Sequence, residues 1–216
     1  MAELMTAKQN KRTPWPALEA TTEDGRRQRS DRSRRAIIEA LFDLMREGVM
    51  QPTAADVAER ADVGLRTVFR HFEDMESIFE EMTDELKAVM MPRFLAPLSS
   101  TSWRDQLFEM ADRNAEIYED IFPMRVALVI RRFQSDFLTR QYKSEVELLR
   151  SALKSILPKH VTANRILFAA IEVNLTFATW RRLREDQNLS VARAKATLTL
   201  ILSSLIAGVD DTQFNS

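Results

Sequence analysis

From Ile37 to Leu205, apolar residues recur at three- and four-residue intervals, and no stretch alternates apolar and polar residues as a half-buried strand does. That periodicity restricts the chain to an all-α fold, with about nine helices expected. The turn residues agree. The chain has 216 residues but only 4 glycines and 7 prolines, too few for a turn-rich β architecture. The glycines, Gly25, Gly48, Gly64 and Gly208, lie far apart, so no glycine-rich loop exists to cradle a phosphate or a dinucleotide. There is no cysteine, which excludes disulfides and thiolate chemistry, and His71 and His160 are the only histidines. Neither a metal site nor a cofactor is expected, and an enzyme is not expected either. No apolar run approaches 18 residues, so no membrane partner is expected. The opening MAELMTAKQNKR has no apolar signal core, which makes a cytoplasmic location the expectation.

Formal net charge is −1, but the charges are segregated. Residues 1–35 hold nine basic against five acidic residues, and residues 73–120 hold four against thirteen. A basic end ahead of an acidic middle is the pattern of a chain whose first segment meets a polyanion. Residues 1–28 carry Pro14, Pro16 and little apolar periodicity, and read as a flexible basic arm leading into the run Arg26–Arg35. Residues 29–74 form a first helical domain and residues 75–210 a second.

Within the first domain, TAADVAERADVGLRTVFRHF, Thr53 to Phe72, has a short helix capped by Thr53, a break at Asp62-Val63-Gly64, and a second short helix. This is a helix-turn-helix, whose second helix can enter the major groove of double-stranded DNA. Ala54, Val57, Ala58, Val63, Val68 and Phe72 form its core, leaving Arg66, Thr67 and Arg70 pointing outward. Arg66 and Thr67 are candidates for base edges, since arginine pairs with guanine O6 and N7 and threonine meets a thymine methyl. Arg70, His71 and Thr53 are candidates for phosphate, and Arg29 and Arg32 for a flanking minor groove.

The stretch from Arg34 to Phe79, with Phe69-Arg70-His71-Phe72 followed by the polar cap at Asp74, resembles the N-terminal domain of TetR-family transcriptional regulators. Four positions differ from the usual pattern: Asp62 stands for a glycine, Gly64 for a small hydroxyl residue, Phe69 for a tyrosine and Met75 for a phosphate-binding lysine. The resemblance implies a ligand-responsive homodimer, a repressor that binds a palindromic operator and is released by a small apolar or aromatic effector. The alternative is a ligand- or protein-binding module that has lost sequence-specific DNA binding.

Two C-terminal helices, Thr162–Arg184 and Ser190–Ala207, carry heptad-like apolar seams and form a hairpin. Apolar residues beyond a single stripe point to a two-fold interface, with Val173, Trp180, Leu198, Ile201 and Leu205 as its candidates. The resemblance implies the same. For the effector, Asn114 and Asn174 interrupt apolar faces, and a buried amide without a partner costs about 1–3 kcal/mol. With Trp103, Tyr118, Phe122, Phe137 and Phe177 they make up the candidate lining. Glu172, the one carboxylate in its apolar stretch, is expected to pair with Arg125 or Arg165.

Overall fold

The computed structural model describes residues 25–209, with side chains from Gln28 onward. The described residues fall into two units, one ending at Arg32 and the other beginning at Ser33. Among the described residues there are eleven α-helices and no strand. Helix α1 is Gly25–Arg46, α2 is Ala54–Arg60, α3 is Leu65–His71 and α4 is Met75–Phe94. Then come α5 (Trp103–Asp120), α6 (Phe122–Arg131), α7 (Asp136–Ile156), α8 (Lys159–Ala163), α9 (Arg165–Asn174), α10 (Phe177–Arg181) and α11 (Val191–Ile206).

Short polar residues start most of these helices by accepting an otherwise orphaned backbone N–H. Thr53 and Asp74 do so reciprocally with Asp56 and Ser77. Ser102, Ser135, Asn164, Thr176 and Ser190 cap α5, α7, α9, α10 and α11. The start of α1 differs from the expected arm. Residues 25–28 are already helical, because the arginine-rich run holds good helix formers and neither glycine nor proline between Arg26 and Glu47. The rest of the expected arm, residues 1–24, lies outside the described residues.

The expected helix Thr162–Arg184 is also interrupted. Thr176 accepts from the Thr179 N–H and donates to the Val173 carbonyl, which ends α9 and starts α10. A π-turn over Arg182–Asp186 then leads to the hairpin bend, where Asn188 has a φ of 50°. The break at Thr176 and the separate short helix α8, which Asn164 divides from α9, raise the helix number above the expected nine.

The core lies where α5, α7, α8, α9 and α11 meet, around Leu107, Leu153, Val161, Ile171 and Leu202. A second cluster joins α5 to the hairpin through Ala115, Trp180, Leu183, Ala194 and Leu198. Glu172 pairs with Arg150 of α7 rather than with Arg125 or Arg165. Arg125 is already engaged by Glu145.

The connection between α4 and α5 is held by one carboxylate. Ser99 and Ser100 donate their backbone N–H groups to Glu109 Oε1 and Oε2, at 2.8 and 2.9 Å. Those donors hold the Glu109 carboxyl at about 2, below its ordinary 4.5. A depressed folded value means the stabilisation is complete above 4.5 and is lost as pH falls through about 2. Glu109→Gln should therefore lower the melting temperature at neutral pH and flatten its decline over that window. Parallel pH–melting curves that match the parent would refute this.

Candidate nucleic-acid interface and internal cavity

Helices α2 and α3 pack through Val57, Ala58 and Val68, all buried, and Phe72 closes the end of α3. Ala54 and Val63 complete this core as half-buried residues. The turn between the helices places Asp62 at φ 53°, in the left-handed region. A glycine enters that region freely; aspartate is among the few other residues that tolerate it, so the turn closes without one. Gly64 caps α3 by its backbone alone.

This scaffold turns one face of α3 outward. Arg66 and Arg70 are exposed and Thr67 is half-buried beside them. The same face carries Leu65 and Phe69, exposed by 45% and 50%, which sequence reasoning did not nominate as contacts. Their spacing of four residues along a solvent-facing helix was the available signal. Thr53 sits at the start of α2 with its hydroxyl 2.7 Å from Asp56 Oδ2. That bond helps hold the Asp56 carboxyl below its ordinary value. Arg29 and Arg32 stand exposed on the opening turns of α1.

His71 is half-buried, and its carbonyl accepts from Arg34 Nη1 at 2.8 Å. Arg34 also donates through Nε to Glu81 Oε1 at 2.8 Å and lies 4.4 Å over the Phe72 ring. One guanidinium thus joins α1, the end of α3 and α4. Charge counting had placed Arg34 in a basic run; only its three partners reveal a clamp.

Behind this domain, α4, α5, α6, α7 and the start of α10 surround a cavity of about 570 Å³. Of the candidate lining residues, Asn114, Tyr118 and Phe177 line it. The Tyr118 hydroxyl donates to the Leu175 carbonyl at 3.0 Å, and burial pushes its phenol up. Phe177 meets Tyr118 edge-on at 5.5 Å. Four nominated residues lie elsewhere. Phe122 packs against Phe177 from outside the lining, with centroids 5.4 Å apart. Trp103 belongs to the core around Leu107 and Leu153. Asn174 donates to the Ala170 carbonyl of its own helix at 2.8 Å. Phe137 lines a separate cleft of about 520 Å³ with Glu76, Arg131 and Ser135. Conversely, Thr83, Leu86, Met90 and Phe94 of α4 do line the cavity and were not nominated. Among the described residues no three histidine or carboxylate side chains converge as a metal site requires.

The hairpin separates its residues sharply. Trp180 is 1% exposed and Leu198 is buried beside it, so both belong to the core of the chain itself. Ile201 and Leu205 are half-buried. Val173 is 54% exposed, and Ile166, two turns earlier on α9, is 84% exposed; Leu200 on α11 is 68% exposed. Among the described residues no helix is long and apolar enough to cross a membrane.

A helix-turn-helix with its second helix turned outward is an arrangement that DNA-binding domains use. Residues 37–82 match the family described as bacterial regulatory proteins, tetR family. The match covers the helix-turn-helix and parts of the two helices that flank it. No curated protein matches the chain. The fold is shared with a transcriptional regulator of Rhodococcus sp. Rha1, at 16% identity and TM-score 0.59, covering 83% of this chain and 96% of that one. It is also shared with a proposed fatty acid metabolism regulator of Clostridium perfringens, at 15% identity and TM-score 0.58, covering 81% and 98%. The fatty acid degradation regulator FadR of Bacillus halodurans aligns at 13% identity and TM-score 0.51, covering 88% and 98%.

Proposed function

We propose that this protein is a cytoplasmic, homodimeric transcriptional repressor that binds a palindromic operator and is released from it by a small effector. One observation carries the proposal: helix α4 serves both the DNA-binding domain and the cavity. Its first turns hold Glu81 against Arg34 and bury Ile78 and Phe79, while Thr83, Leu86, Met90 and Phe94 form the cavity wall. An effector that prefers a shifted α4 changes the placement of α3, and only such a difference in affinity moves the equilibrium. Residues 29–74 are the DNA-binding domain and residues 75–210 the effector and dimerisation domain.

In each protomer Arg66 and Thr67 read base edges, and Arg70, His71 and the α2 terminus at Thr53 hold phosphates. Arg29 and Arg32 follow a flanking minor groove. Two α3 helices related by a two-fold axis would read half-sites one helical turn apart. The exposed Ile166, Val173 and Leu200 support dimerisation, because apolar side chains this open favour a partner surface.

The test is selection of genomic DNA fragments on the purified protein, followed by affinities for the enriched sequence. A palindrome should emerge. Arg66→Ala should cost about 1–3 kcal/mol on that sequence and relax specificity at one base position. Equal loss on random DNA would make Arg66 a phosphate contact. No enrichment would favour a binding module without sequence recognition, the reading that Phe69 and Met75 support.

A further inference from the structure

The cavity wall is unevenly charged. It holds five basic side chains, Lys87, Arg113, Arg125, Arg132 and Arg181, against two acidic ones, Glu145 and Glu147. Arg125 neutralises Glu145 through a two-point pair, with Nη1 3.2 Å from Oε1. Two of the other cations have no carboxylate partner among the described residues. The Lys87 ammonium donates to the neutral Gln141 Oε1 at 3.2 Å. Arg132 stacks on the Tyr142 ring at 3.8 Å and on Phe133 at 4.7 Å. Gln141 and Tyr142 are consecutive on α7, so these two contacts bring both cations to the same turn of the wall.

The wall also holds buried polar groups, one of them without a partner. Asn114 is 4% exposed and lines the cavity. The Thr83 hydroxyl, on the same wall, is buried without a partner. Between them the surface is apolar, with Met90, Phe94, Leu128 and Phe177. Buried polar groups this placed are costly unless something reaches them.

Resting on the effector site proposed above, we propose that the cavity receives an amphipathic organic anion. Its carboxylate sits with Lys87 and Arg132, and its apolar body lies against Met90, Phe94 and Phe177. Asn114 and Thr83 supply hydrogen bonds to any polar atom on that body. A charge-assisted pair with two cations would favour the acid over the alcohol of the same shape, while an ammonium head would be repelled.

Calorimetric titration of the full chain should compare dodecanoate, 1-dodecanol and dodecyltrimethylammonium, with 2-naphthoate and 2-naphthalenemethanol as a second body shape. In at least one shape the acid should bind about tenfold more tightly than the alcohol, the gain expected of a hydrogen bond to a charged group. The ammonium should bind most weakly. The double variant Lys87→Gln with Arg132→Gln should bring the acid to the level of the alcohol. Acids binding no better than alcohols, the ammonium binding best, a preference that survives in the variant, or no binding by any probe would each overturn the inference. The same complexes assayed on selected operator DNA separate the two proposals. An alcohol that binds and releases DNA would preserve the regulator reading and sink the anion. An acid that binds preferentially without affecting DNA would do the reverse.

Discussion

Changing Val173 and Leu200 together to aspartate should leave a folded monomer whose operator affinity has fallen by about a hundredfold or more. Both side chains are open to solvent in the protomer, so neither change removes a core contact. Exposed substitutions of this kind usually alter stability by no more than about 0.5 kcal/mol. In a two-fold interface each residue occurs on both sides, so four carboxylates would enter an apolar contact. An unpaired buried charge costs several kcal/mol, which exceeds the roughly 1.5–3 kcal/mol gained by burying each parent side chain. Light scattering coupled to gel filtration reads the mass, and fluorescence anisotropy on the selected palindrome reads the affinity. A variant that stays dimeric would place the interface on another surface.

Trp180→Ala tests the protomer itself. The indole is enclosed by Ala115, Leu183, Ala194 and Leu198, and its Nε1 donates to Glu119 Oε1 at 2.9 Å. Glu119 also accepts from Arg184 Nε at 2.7 Å, so the bond belongs to a small network joining α5 to the hairpin. Truncating a buried tryptophan costs about 3–5 kcal/mol, through lost transfer energy and the cavity left behind. For a chain of this length that corresponds to a fall of roughly 10 °C in melting temperature. Trp180→Phe keeps most of the apolar contact and loses the donor, so its fall should be smaller. Melts at one fixed protein concentration are required, since self-association of the kind proposed would itself contribute to stability. A shift of only a few degrees for the alanine variant would mean that the hairpin packs loosely on α5.

Local features were the most legible in the sequence. The cap at Thr53, the turn at Asp62–Gly64 and the buried Val57, Ala58, Val68 and Phe72 all depend on residues within one short segment. Helix breaks in the C-terminal region were not legible, because a seam spaced 4, 3, 4, 3, 4 continues through Thr176 even though the backbone stops and restarts there. Cavity lining was legible in part, for a specific reason. Periodicity separates inward from outward residues, but it does not separate a side chain facing a cavity from one facing a neighbouring helix. Asn114 and Asn174 look alike by that criterion. One lines the cavity, while the other is satisfied by the Ala170 carbonyl. Trp180 misled in the same way: its place on the seam marked it for an interface, yet it lies in the core. Glu172 paired with Arg150, a partner 22 residues away that no local pattern could select.

Helix α4 has a consequence for how such a regulator would respond to changing effector levels. When one element forms part of two binding surfaces, the coupling between them works in both directions with the same factor. If the effector weakens operator binding through α4, operator binding weakens the effector by an equal ratio. Protein molecules off the DNA would then fill first as the effector accumulates, and those on an operator would fill last. The effector level that switches a gene would thus depend on how many copies of the protein the cell holds for each operator. Abundance would set the threshold, without any change to the cavity.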